Sequence, residues 1–233
     1  VVSRGLLEKV GGFERQYDGA QDYDFILRCT EQANGICHIP KVLYHWRTHA
    51  QSTADNPISK QYAYDAGARA IEAHLKRVGL AGTVERKKDF GFYRVRYALE
   101  GQPLVSIIIP NKDHIDDLKR CMNSIEQKST YRNYEFIIVE NNSTEDSTFQ
   151  YYKEIEAQNP KVHVVYWDKE FNYSAINNYG ATFAKGEYIL LLNNDTEIIN
   201  EDCLEELLGY CMRSDVGADR KSTRLNSSHH DIS

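Results

Sequence analysis

Residues 104–218 carry the pattern that most limits the fold: short apolar runs alternate with stretches of helical periodicity. Leu104–Ile109, Tyr134–Val139, Val162–Trp167 and Glu187–Leu192 read as strands. Between and after them, helices are expected over His114–Lys128, about Glu145–Ala157, Ser174–Ala184 and Asp202–Met212. In the first of these, Ile115, Leu118, Met122 and Ile125 share one face. Strands that are apolar throughout and separated by helices predict an α/β fold with a mostly parallel sheet covered on both faces. Sheets of this kind bind ligands at the carboxyl ends of their strands, so the chemistry is sought there.

The preceding residues follow a different plan. Gly11-Gly12-Phe13 leads into a helical stretch, Asp22–Ala33, with Phe25, Ile26 and Cys29 at helical spacing. Two strand-like runs follow, Ile36–Ile39 and Val42–Trp46, separated by Pro40. Residues 59–78 are rich in Ala, with Ala63, Ala66, Ala70, Ile71 and Leu75 on one side of a helix that Gly79 and Gly82 stop. Glu85–Gln102 is a charged, Tyr-rich connector with an edge strand expected through Tyr93–Tyr97. The last stretch, 219–233, has no apolar periodicity and reads as a non-native, disordered tail.

The formal net charge is -6 and no basic stripe is clustered, which argues against nucleic acid as a partner. No apolar run approaches the roughly 18–20 residues of a membrane span, the longest being Tyr188–Leu192. Cys29, Cys37, Cys121, Cys203 and Cys211 form no CxxC pair, which suggests neither zinc nor a disulfide framework and fits a reducing cytoplasm.

The strand ends are polar and acidic: Pro110-Asn111-Lys112-Asp113, then Glu140-Asn141-Asn142-Ser143-Thr144-Glu145-Asp146, then Asn193-Asn194-Asp195-Thr196-Glu197. Helix capping accounts for Ser143, Thr144 and Asp146. It accounts less well for Asp195, a carboxylate directly after an apolar strand and costly to desolvate unless a cation meets it. An oxygen-rich set with few cysteines selects Mg²⁺ or Mn²⁺, which bind one or two carboxylates and complete their shell with water and phosphate oxygens. A nucleoside-diphosphate site follows. Neither GxGxxG after the first strand nor a Walker GxxxxGK[ST] is present.

The runs VSIIIPNKD, YEFIIVENNSTEDST and FNYSAINNYGATFAKGEYILLLNNDTE, with the earlier GGFERQYDGAQDYDFILR and HIPKVLYHWRTH, resemble the family-two, inverting GT-A glycosyltransferases, especially tandem-domain bacterial enzymes of surface polysaccharide assembly. The resemblance implies a GT-A (Rossmann-like) sheet with flanking helices. It implies a nucleotide-diphosphate sugar donor and a glycan or lipid-linked glycan acceptor. It puts Pro110, Asn111 and Asp113 at the base and ribose, Glu140 at the base, and Asn141 in the same nucleotide-sugar site. The family's Asp-x-Asp appears as Asn193-Asn194-Asp195, so the metal contact falls on Asp195, with Asn193 a ribose or water partner and Asn194 beside it. Asn177 stands where the family often carries Arg, a departure that leaves the diphosphate contact there open.

Gln21-Asp22 stands where the family has an acidic pair whose second member is the general base, and Asp22 takes that role. Such a base removes the acceptor hydroxyl proton as the oxygen attacks the anomeric carbon, typically worth ~10²–10⁴ in rate. Capping the following helix is the alternative for Asp22, and surface solvation is the reading for Asp24. His45, Arg47 and His49 would share one face of a strand. The family's motif favours Arg47 for the diphosphate and His49 for the metal, and an exposed strand edge is the alternative.

The base motif precedes the nucleotide motifs, the reverse of a single family domain. The expected organisation is therefore two partial domains: 1–58 the end of an upstream GT-A domain, 59–103 a helical linker and connector, and 104–218 the nucleotide-binding half of a second. The two pieces packing as a permuted unit is the alternative. The fragment alone is expected to be inactive or feeble, in the cytoplasm or peripheral at the inner face of the membrane. A non-catalytic nucleotide-binding module and a purely structural part are the rival functions.

Overall fold

The computed structural model describes residues 1–45, 61–87 and 91–219. They divide into two compact units, Val1–Ala98 and Leu99–Ser233.

The first unit holds α1 (Arg4–Val10), α2 (Gln21–Gln32), α3 (Gln61–Arg77) and an antiparallel hairpin of β1 (Gly82–Arg86) and β2 (Tyr93–Tyr97). The Ala-rich face of α3 buries Ala66, Ala70, Ile71 and Leu75, and its small side chains let α2 and β1 pack closely. Leu80 N donates to Leu75 O and Gly79 N to Lys76 O, the Schellman pattern, with Gly79 at φ +74 as that turn requires. Glu31 on α2 accepts from Arg77 and His74 of α3, at 2.8 and 2.7 Å. Burial alone would raise the Glu31 pKa, but these two donors outweigh it and hold the carboxyl below its ordinary value.

Two expectations for this unit change. Asp24 is not a solvated surface residue; it is fully buried, and Arg28 one turn later pairs with it at 2.8 Å. The runs Ile36–Ile39 and Val42 to Tyr44 form no strand among the described residues, and their apolar side chains are exposed; Trp46 lies outside the described residues. A strand is defined by the ladder it makes with a neighbour, and none of the described residues supplies one. The strand expected at Tyr93–Tyr97 is present as β2, paired in register with β1.

In the second unit, β3 (Val105–Asn111), β4 (Tyr134–Glu140), β5 (Val162–Tyr166) and β6 (Tyr188–Leu191) form one parallel sheet in the order β5-β4-β3-β6. Between and after the strands run α4 (Ile115–Lys128), α5 (Asp146–Gln158), α6 (Tyr173–Ala181) and α7 (Cys203–Cys211). The α/β expectation is met. Alternate residues point to opposite faces. Ile107, Ile109, Phe136 and Ile138 pack with Leu118, Met122 and Ile125 of α4, Tyr152 of α5, and Leu204 and Leu208 of α7. Ile108, Ile137 and Val139 pack on the other face with Ile176 of α6. Each such fully buried side chain contributes roughly 1.5–3 kcal/mol of transfer free energy.

The central strands β3 and β4 are almost wholly buried, as their composition predicts. β6 is not: it is bonded to β3 alone among the described strands, and Ile189 and Leu191 are 49% and 48% exposed. No helix among the described residues is long and apolar enough to cross a membrane.

Candidate functional site

Asn111 and Glu140 are the last register pair of β3 and β4. They continue the inward files Ile107–Ile109 and Phe136–Ile138, so both polar side chains enter the face covered by α5 and are 3% exposed. Buried polar groups must find partners. Here Tyr152 of α5 supplies them: its hydroxyl donates to Glu140 Oε2 at 2.8 Å and accepts from Asn111 Nδ2 at 2.7 Å. Burial pushes the Tyr152 phenol far above its ordinary pKa; the Asn111 donor opposes this and the Glu140 carboxylate reinforces it. The hydroxyl therefore stays protonated and remains a donor to Glu140.

Ser143 completes the Glu140 shell, donating through its backbone N to Oε1 at 2.5 Å and through Oγ to Oε2 at 2.6 Å. The same Oγ accepts from Asp113 N at 2.7 Å. The Asp113 carboxylate in turn accepts from the backbone N of Thr144 and of Glu145, each at 3.0 Å, and from the Thr144 and Thr148 hydroxyls at 3.3 Å. Desolvation would raise its pKa, but the backbone N–H groups of Glu145 and Thr144 and the two hydroxyls prevail and lower it. The predicted capping residues thus do not cap α5 themselves. Its N-cap, Glu145, makes no side-chain cap bond, and Asp113 serves from the end of β3.

Among the described residues, the non-glycine positive-φ positions are Asp113, His114 and Asn142, all just beyond β3 and β4. Asp, Asn and His tolerate the left-handed region better than other side chains, and such conformations gather where a loop is shaped for function. Asn141, 3% exposed, spends its Nδ2 on the carbonyls of Trp167 and Lys169, at 3.1 and 3.0 Å, and so fixes the segment after β5.

Beyond β6, Asn194 Nδ2 donates to Asn111 Oδ1 at 2.7 Å. The turn is closed by Thr196 Oγ1 donating to Asn193 O at 2.7 Å, with Cys121 Sγ of α4 at 3.6 Å from the same carbonyl. Burial pushes the Cys121 thiol up, which keeps it a neutral donor beside this turn. Asp195 projects from the turn, exposed and with no side-chain hydrogen bond or ion pair among the described residues. Contrary to expectation, Asp195 does not need a cation to offset desolvation, because β6 is half-exposed and the carboxylate is exposed to solvent.

Several predicted positions thus meet. Asn111, Asp113, Glu140 and Asn194 are joined by hydrogen bonds through Tyr152 and Ser143, and Pro110 precedes Asn111 in β3 opposite Val139. Asn177 on α6 is buried, gives Nδ2 to Tyr173 O at 2.8 Å, and leaves Oδ1 without a partner. It makes no hydrogen bond to the joined set. Asp22, in the first unit, is the second residue of α2 and exposed; its Oδ1 accepts Tyr23 N at 2.9 Å. The N-cap of α2 is Ala20, so Asp22 does not cap that helix. His45 is exposed, and Arg47 and His49 lie outside the described residues.

Sequence reasoning missed Tyr152 and treated Ser143 only as a cap. Tyr152 reads in sequence as one more apolar position on a helix face, and its contact with two strand ends arises only from packing.

No group of three or more His, Cys, Asp or Glu among the described residues could hold a metal by itself. Asp195, exposed and unpaired among the described residues, is an oxygen donor of the kind a hard cation such as Mg²⁺ or Mn²⁺ takes.

A model of glycosyl transferase family 2 matches residues 106–222, half of the chain and the whole of this site. The chain belongs to glycosyl transferase family 2. This family 2 chain is 41% identical over 220 residues to the protein y4gI of Sinorhizobium fredii, covering 93% of this chain and 24% of that one. It is 39% identical over 218 residues to the O-antigen biosynthesis protein RfbC of Myxococcus xanthus, covering 94% and 17%. The chain therefore spans about a quarter or less of the length of these relatives. Among solved structures it aligns with the mannosyltransferase PcManGT of Pyrobaculum calidifontis, in complex with GDP-Man and Mn²⁺, at 19% identity and a TM-score of 0.46, over 50% of this chain and 34% of that one.

Proposed function

We propose that this family 2 chain is part of an inverting glycosyltransferase of surface polysaccharide synthesis. It would move a sugar from a nucleotide-diphosphate sugar to a hydroxyl of a glycan or lipid-linked glycan. The observation that carries this reading is the polar floor at the carboxyl ends of the sheet. Asn111, Glu140 and Asn194 are locked to one another through Tyr152, with the unpaired Asp195 beside them. The kinship with RfbC supports the polysaccharide context.

In this reading Glu140, Asn111, Asp113 and Pro110 bind base and ribose. Asn193 and Asn194 shape the phosphate side, and Asn177 offers its unpaired Oδ1 to a donor of the substrate. Asp195 holds Mg²⁺ or Mn²⁺, which when bound neutralises the departing diphosphate. Asp22, exposed on α2 of the first unit, is the proposed base for the acceptor hydroxyl. Arg47 and His49 keep their sequence-based assignment to the diphosphate and metal. Residues 1–58 and 104–218 are proposed as parts of two successive glycosyltransferase domains. A cytoplasmic location, or one peripheral to the membrane, fits a substrate made inside the cell.

The test is calorimetric titration of the chain with UDP and dTDP, each with and without Mn²⁺, alongside a turnover assay on the corresponding nucleotide sugars. Metal-dependent binding with feeble turnover is expected. Robust turnover by this chain would overturn the two-part organisation, and absence of any metal-dependent binding would overturn the nucleotide site.

A further inference from the structure

The polar floor has a direction. Asn194 Nδ2 donates to Asn111 Oδ1, Asn111 Nδ2 donates to Tyr152 Oη, and the Tyr152 hydroxyl donates to Glu140 Oε2. These three bonds run toward the one carboxylate, an arrangement in which each hydrogen bond polarises the next, while Asn111 Nδ2 also donates to Asp113 O at 2.8 Å. A hydroxyl has a single proton. Because Tyr152 gives its proton to Glu140, it can only accept from Asn111. That choice and the Asp113 carbonyl, which also can only accept, together orient the Asn111 amide and leave its oxygen, not its nitrogen, facing Asn194.

We infer that Tyr152 is a positioning residue that couples the nucleobase side of the donor site, at Glu140, to the phosphate and metal side, at the Asn194-Asp195 turn. The inference rests on the nucleotide reading of the site. Tyr152 itself is fully buried and touches no ligand; it acts through Asn111. Without its hydroxyl, the Asn111 amide keeps only the Asp113 carbonyl to hold its orientation and turns over more readily. A turned amide sets its N–H against the N–H of Asn194, releasing the turn that carries Asp195. Substituting Phe keeps the ring that packs in the core and removes only the relay atom.

The experiment is a double-mutant cycle read by calorimetric titration with UDP in the presence of Mn²⁺, with melting temperatures measured alongside. Tyr152→Phe is expected to weaken UDP about 10-fold, the scale of a hydrogen bond to a charged group. Asn194→Ala is expected to weaken it several-fold in the wild type and less than about 2-fold in the Tyr152→Phe background, because the relay is already cut. Ile137→Val, in the core on the opposite face of the sheet from Tyr152, is the stability control: it lowers the melting temperature and leaves UDP affinity unchanged. If Tyr152→Phe does not fold, Tyr152→Met, which fills much of the same space and also lacks the hydroxyl, replaces it in the cycle. Wild-type binding with unchanged affinity in Tyr152→Phe, or strictly additive effects, overturns the inference alone. A wild type that does not bind UDP with Mn²⁺ overturns the nucleotide reading and the inference together.

Discussion

Asp113, two residues beyond β3, caps the entry to α5 through space: its Oδ1 accepts the backbone N of Glu145 at 3.0 Å. The bond ties the first strand end to the helix that carries Tyr152. An anionic side chain at a helix N-terminus also gains from the helix dipole.

Asp113→Asn keeps an acceptor oxygen at the helix start and removes the charge, so it is expected to destabilise the second unit by about 0.3–1 kcal/mol near neutral pH. The pKa of Asp113 is lowered from its ordinary 3.8 in the folded protein, so the carboxylate's contribution is fully present above that value. It is lost as pH falls through the lower folded value. Urea melts of both proteins at stepped pH should show the gap between them closing only in strong acid. A gap independent of pH would mean that the negative charge of Asp113 contributes nothing.

How much of this was legible in the sequence differs by element. The parallel sheet was, because apolar runs such as Phe136–Val139 and the file Ile107, Ile109, Asn111 carry their burial in their composition and period. The polar strand ends were legible as a place. The partners within it were not: Tyr152 lies twelve residues after Glu140 on a helix face that looks simply apolar, and Asp113 reaches a helix start some thirty residues away. Asp24 was misread for a similar reason: a carboxylate in the first turn of a helix looks solvated, and its burial beside Arg28, which also binds the carbonyls of Val10 and Gly12, arises only from packing. The runs after Ile36 had strand composition, but strand formation needs a partner that composition does not supply.

Asp24 is 0% exposed, and Arg28 neutralises it while donating to the carbonyls of Val10 and Gly12 at 2.6 and 2.8 Å. Arg28→Leu leaves the buried carboxylate with only Arg77, 3.8 Å from its Oδ1, and releases the turn before Phe13. A loss of about 3–5 kcal/mol is expected, enough to unfold a marginal unit, and circular dichroism during urea unfolding measures it. A loss below about 1 kcal/mol would mean that water reaches Asp24 freely.

Gly180 faces the sheet from α6, where an added Cβ would lie 2.7 Å from Ile108 Cγ2 and 2.8 Å from Val139 Cγ2. Gly180→Ala should push α6 from β3 and β4 at a cost of about 1–3 kcal/mol. Thermal unfolding reads the loss. Since Asn177 lies one turn earlier on α6, UDP affinity is expected to fall with it. An unchanged melting temperature would contradict the close packing of α6.

In the proposed function, the carboxyl ends of β3, β4 and β6 form one nucleoside-diphosphate site with its metal at Asp195. The most direct measurement is amide chemical-shift mapping of the isotope-labelled chain titrated with UDP and Mg²⁺, for the wild type and Asp195→Ala. The account predicts that shifts concentrate at Asn111, Glu140, Asn141, Asn194 and Asp195, and that their Mg²⁺ dependence disappears in Asp195→Ala. Shifts centred elsewhere, or a Mg²⁺ response that survives the loss of Asp195, would contradict it.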